Sequence, residues 1–157
     1  MKKSIFASFV AVFMLLISTQ IQAQALEQWT WKDYNLSFSI PKGFKVETST
    51  GKEFSGKCES SKIHFFSITP YQDSKVTEEN LKEAIGIMAK EAKMRVSETK
   101  HIEFNGFKGY YAEGTIEGLP AFFCCILNPN DDNNFIITIL HENTDAAVKV
   151  IKSIKPM

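Results

Sequence analysis

Residues 121–140 read AFFCCILNPNDDNNFIITIL. Two apolar runs, 121–127 and 135–140, flank the polar segment NPNDDNN at 128–134. Asn and Asp side chains bond readily to nearby backbone, so the polar segment reads as a turn between two strands. Successive strand residues point to opposite faces. In the first run Phe123, Cys125 and Leu127 share one face, and Phe122, Cys124 and Ile126 share the other. Both faces are apolar, and in the second run Thr138 is the one polar residue. Strands of this kind are usually covered on both sides. The stretch therefore predicts the centre of a layered sheet, its covers drawn from two helices or from one helix and a polar loop region.

The adjacent cysteines follow from the same alternation. Cys124 and Cys125 cannot line one side, which argues against a two-cysteine metal grip, and C-x-x-C redox spacing is absent. A free cysteine packs as a small apolar group. The leading reading is a pair of core thiols. The alternative is a disulfide from one of them to Cys58, the third cysteine of the chain.

Working outward, residues 34–40 alternate Tyr34, Leu36, Phe38 and Ile40 with polar neighbours, the pattern of a half-buried strand. Pro41-Lys42-Gly43 is a turn, and 44–48 returns as a second strand, giving an opening hairpin. Residues 49–62 read as a polar loop with a short strand at 54–58, and 63–69 as a strong strand stopped by Pro70. Residues 26–31 (LEQWTW) show no clear period. One long helix opens at Thr77, a capping residue, with Glu78 and Glu79 at its positive end. Leu81, Ala84, Ile85, Met88 and Ala92 form its inward stripe, and Glu78–Lys82 and Glu91–Arg95 are spaced to pair on the wet side.

Strands at 96–104 and 107–114 meet at Asn105-Gly106, two residues that tolerate the positive φ of a type I′ hairpin. A second turn, 117–120, leads into the central stretch. Thr144 is placed to cap a closing helix over 145–153, with Ala147, Val148 and Ile151 inward. The expected fold class is α+β: a central, mainly antiparallel sheet with one long helix and a C-terminal helix packed on it, in a single domain over 26–157.

The first 25 residues have the order of a secretory signal. Lys2 and Lys3 are followed by a 13-residue apolar run, 5–17, interrupted by Ser8, and then by Ala23-x-Ala25. The run is shorter than the about 20 apolar residues of a spanning helix, and no later segment is longer, so no membrane span is expected. No cysteine near Ala25 is available to carry lipid. Cleavage after Ala25, with Ala23 as the alternative, would leave an exported, soluble product, periplasmic or associated with the cell surface. Residues 1–25 hold two lysines and no acid, so the remainder carries 16 basic and 18 acidic side chains. No basic stripe is present, which argues against nucleic acid and anionic lipid as partners.

The chemistry-bearing residues are sparse. His101 and Glu103 are spaced to share a strand face, whereas His141 and Glu142 point apart. No G-x-S-x-G nucleophile turn occurs. Gly106, Gly109, Gly114 and Gly118 fall across hairpins, not between a strand and a helix where phosphate is held. Asp131-Asp132 lies in a turn and has no calcium-loop pattern. No catalytic residue, cofactor or metal is assigned.

Several segments in this order resemble the PsbP-like family over residues 34–156. They are YNLSFSIPKGFKV, FFSITP, the helix TEENLKEAIGIMAKEAK, the hairpin around NGFKGYYAEG, two apolar strands, and a final helix ending KSIKP. The resemblance implies an antiparallel sheet between helices and a role as a binding or scaffold subunit. The expected function is thus an exported, non-catalytic binding or scaffold module for an envelope protein or a small ligand. Trp29, Trp31, Tyr71, Tyr110 and Tyr111 are its candidate contact residues. The alternative is a hydrolase whose site is assembled from His64, His101 and Glu103.

Overall fold

A computed structural model describes residues 25–72, 77–128 and 134–157. The expected signal segment before Ala25 and the Asp131-Asp132 part of the central turn lie outside the described residues. The elements are β1 (Leu26–Trp31), a 3-10 turn (Lys32–Tyr34), β2 (Leu36–Pro41), β3 (Lys45–Thr50), β4 (Glu53–Lys57), β5 (Ile63–Tyr71), α1 (Glu78–Glu91), β6 (Arg95–Phe104), β7 (Phe107–Ile116), β8 (Leu119–Leu127), β9 (Asn134–His141), α2 (Thr144–Ser153) and β10 (Lys155–Pro156).

Seven strands form one antiparallel sheet in the order β3-β4-β5-β9-β8-β7-β6. The two runs of the opening stretch are β8 and β9, and β9 lies in the middle. Cys124 sits opposite Ile137 and Cys125 opposite Ile136. The faces divide as the alternation requires. Phe122, Cys124, Ile126, Phe135, Ile137 and Ile139 join a core with β2, α2 and the two tryptophans' side of β1. Ala121, Phe123 and Cys125 join a second core with Leu81, Ile85 and Ala89 of α1. Each fully buried Phe, such as Phe66, Phe107 or Phe135, contributes about 1.5–3 kcal/mol by leaving water.

The second cover is more elaborate than two helices. A separate three-stranded sheet, β1-β2-β10, lies beside α2 on the Cys124 side. Residues 26–31 are thus a strand, paired from Leu26↔Pro41 to Trp31↔Leu36. The expected opening hairpin is corrected: β2 pairs with β1 and β10, while β3 pairs with β4 in the large sheet. Gly43, at φ 83°, turns the chain from one sheet to the other. On the opposite side α1 lies over β6, β7 and β8. Ile136, Thr138 and Leu140 of β9 are half-buried there, so β9 is sealed on one face and partly open on the other.

Three local expectations also change. Leu81, Ile85 and Ala89 are the buried stripe of α1, whereas Ala92 lies past its end and is exposed. Arg95 belongs to β6, so it forms no pair with Glu91 within a helix. Asn143, not Thr144, caps α2, its Oδ1 accepting from the Ala146 N–H at 2.8 Å. At the start of α1, Thr77 occupies the cap position and its backbone N–H donates to Asn80 Oδ1 at 2.9 Å. Asn105 and Gly106 have φ of 48° and 87°, as a type I′ turn demands. Glu117 and Gly118, at 52° and 85°, repeat that geometry, and Leu119 and Pro120 already belong to β8.

Candidate functional site

The five aromatic candidates fall on two sides of the large sheet. Trp29 and Trp31 point inward from β1, on the same face as Phe38 and Leu36. Trp31 is 2% exposed. Its Nε1 donates to the Thr50 carbonyl at 3.0 Å, and its ring meets Tyr34 at 4.5 Å. Trp29 is half-buried and stands edge-on to Phe54 at 5.9 Å, with Nε1 buried and unpartnered. Tyr111 packs on Phe122 at 5.3 Å on this side. Burial, and then the Glu113 carboxylate, push its phenol pKa up. Tyr71 and Tyr110 lie on the α1 side.

The α1-side pair has company. Tyr71, Ile136, Leu127 and Tyr110 come from β5, β9, β8 and β7, four consecutive strands, and each is half-buried against the α1-side core. Leu140, further along β9, is half-buried in the same core. Together they make an apolar band where, among the described residues, α1 leaves β5 and β9 less covered than their neighbours. The two tyrosines stand among the sequence candidates, whereas the β9 residues read as sealed core, because apolarity alone does not say how far a helix extends sideways.

His64, His101 and Glu103 do not converge. His64 is on β5, and its Nε2 meets Glu142 Oε1 at 3.0 Å. His101 and Glu103 are on the β6 edge, where His101 Nε2 is 3.4 Å from Glu78 Oε1 and its ring is 5.3 Å from Tyr110. Three strands, β9, β8 and β7, separate β5 from β6, a lateral distance of roughly 19 Å at about 4.8 Å per strand. Acid–base chemistry shared by these residues would need hydrogen-bond reach.

All three cysteines are free thiols and buried, so the Cys58 disulfide is not formed. Burial raises the Cys124 thiol well above its usual range and pushes Cys125 up to about 12. A thiol held protonated in this way is a poor nucleophile. No group of three or more His, Cys, Asp or Glu is placed to hold a metal among the described residues.

A groove of about 270 Å³ opens elsewhere, between the small sheet and the end of α2, with Phe38 and Asn105 in its lining. Gln28, Ser37, Ser39, Lys152, Ser153 and Lys155 contribute to its lining. No sequence pattern marks these residues, and Ser37 and Ser39, alternating on a half-buried strand, read as its wet side.

No protein-family model matches the sequence, and no curated protein matches it significantly. Solved structures do match in shape. The Ran-binding protein Mog1p of Saccharomyces cerevisiae superposes with a TM-score of 0.57 at 6% identity, over 84% of this chain and 95% of its own. Cyanobacterial PsbP from Synechocystis sp. PCC 6803 superposes with a TM-score of 0.55 at 12% identity, over 88% and 96%. A protein from Bacteroides thetaiotaomicron matches at 0.52 and 12% identity, over 83% of this chain and 48% of that one. The chain has the α+β fold that Mog1 and PsbP share. The expected PsbP-like architecture is therefore present, reached without close sequence similarity.

Proposed function

We propose that this protein is an exported, non-catalytic binding module whose partner is another protein. The reading is carried by the apolar band of Tyr71, Ile136, Leu127 and Tyr110 on the open part of the α1 side. Aromatic residues beside half-covered aliphatic ones are the usual anchors of protein interfaces. The fold supports the reading, since one of its solved examples is described as Ran-binding. Export rests on the basic, apolar and Ala23-x-Ala25 order of the first 25 residues. Under this reading an envelope protein docks across β5, β9, β8 and β7, and Trp29, Trp31 and Tyr111 hold the opposite core together. The test is capture of cross-linked companions from the native envelope by the tagged protein and by a Tyr71→Ala/Tyr110→Ala variant. One companion should be recovered specifically and be lost with the folded double variant. Equal capture by both proteins would contradict this docking face.

A further inference from the structure

We infer that the groove between the small sheet and the end of α2 binds a small organic oxyanion, through carboxylate or phosphate oxygens. Ser37 and Lys155 face each other across β2 and β10, and Thr30 stands opposite Ser37 on β1. These residues share the outer face because Leu36 and Phe38, on either side of Ser37, turn into the core. Ser37 is 1% exposed, and its Oγ has no hydrogen-bond partner. Ser37 belongs to the groove lining, and a sealed hydroxyl that bonds to nothing is an uncommon arrangement in a folded protein. The hydroxyl oxygen is sealed, so it becomes a donor to a ligand once a neighbouring side chain moves aside.

The charge around it has one sign. Lys152 and Lys155 line the groove, no carboxylate does, and neither lysine forms an ion pair among the described residues. The C-terminal end of α2 would by itself repel an anion. That end is already satisfied: Asn105 Nδ2 donates to the Lys152 and Ile154 carbonyls, both at 2.8 Å. Ser153 is committed too, its Oγ accepting from the Ser39 N–H at 2.8 Å and donating to the Val150 carbonyl at 2.6 Å. Asn105 and Ser153 therefore build the wall, while Gln28 and the two ammonium groups remain for the ligand, with the Ser37 hydroxyl sealed behind them. At about 270 Å³ the groove falls just under the ~300–1,000 Å³ of common ligand pockets. That size suits a small acid or a phosphorylated metabolite and leaves no room for a polymer.

The site lies on the far side of the core from the proposed docking band, so either can fail while the other stands. The experiment is an amide-shift titration of the protein with inorganic phosphate and, separately, with succinate. Saturable shifts at Ser37, Ser39 and Lys155 are expected at about millimolar concentration or below. Saturation with phosphate alone assigns a phosphoryl group, with succinate alone a carboxylate, and with both a shared oxyanion site. Lys152→Gln/Lys155→Gln should weaken binding by about tenfold or more, with the thermal midpoint little changed. Ser37→Ala should weaken it severalfold without lowering the midpoint, since the hydroxyl has no partner in the fold. Linear shifts with both anions, or equal affinity in the lysine double variant, would overturn the proposal.

Discussion

A Cβ on Gly109 would overlap the Cys125 carbonyl oxygen and crowd the Ile126 Cα. β7 and β8 meet there in register, Gly109 opposite Ile126, so backbone, not a flexible side chain, would have to move. Gly109→Ala should cost about 3 kcal/mol or more, whereas Gly86→Ala, with nothing within 4 Å in α1, should gain about 0.5–1 kcal/mol. Denaturant midpoints of the two variants check this contrast. His141 gives a second prediction at this scale. Its ring lies 4.7 Å from Phe122, it is 3% exposed, and its Nδ1 has no partner. Burial first, and then nearby His64, hold its pKa below the ordinary value. The unfolded chain therefore binds a proton at His141 before the folded one does. Stability is full above about pH 6.5 and is lost as pH falls through the depressed folded value. Unfolding measured from neutral to about pH 5 should show a fall that is blunted in His141→Gln; an unchanged fall would assign the effect to other groups. The close approach at Gly109 was not legible in the sequence, and the apolar neighbours of His64 and His141 pointed to burial of one of the two without saying which. A close approach between strands and the burial of one ring depend on register, which a single chain does not display.

The elements themselves were mostly legible, because alternation, helical spacing and turn chemistry are local. Tyr34, Leu36, Phe38 and Ile40, Asn105-Gly106, and the inward residues of α1 carry their structure within a few neighbours. What stayed hidden was which strand joins which sheet. β2 and β3 look like a hairpin across Pro41-Lys42-Gly43, yet their partners are β1 and β10 on one side and β4 on the other. Of those partners only β10 lies far along the chain, β1 and β4 being sequence neighbours, and β1 shows no clean period because Leu26 on its outer face and Glu27 on its Trp face are both exposed. Asn105 shows an element held from a distance. It closes the β6–β7 turn at φ 48° and also binds two carbonyls at the end of α2. Asn105→Gly keeps the turn and loses both bonds, each worth about 0.5–1.5 kcal/mol. Asn105→Ala loses the bonds and adds left-handed strain, costing about 1 kcal/mol more. The two stabilities should rank Gly above Ala. The reverse order would mean that the turn, not the helix end, ignores this side chain.

At the scale of the molecule, one sheet separates two cores that share no side chain. α1 packs on the Cys125 side, and α2 with the three-stranded sheet packs on the Cys124 side. This division was legible from residues 121–140 and accounts for the Mog1/PsbP-like shape. The open part of the α1 side and the groove between the small sheet and the end of α2 were not legible, because both are gaps left by covers of finite width. Function was less legible still, since binding surfaces are made by such gaps and not by spaced motifs. The central claim is that both central thiols are dry, reduced and on opposite faces. Thiol labelling at mildly alkaline pH, without reductant, tests it. The folded protein should leave Cys124 and Cys125 unlabelled, and denaturant alone should then release all three cysteines for reaction. Prompt labelling of either residue in the folded state, or a single reactive thiol in denaturant, would contradict the account.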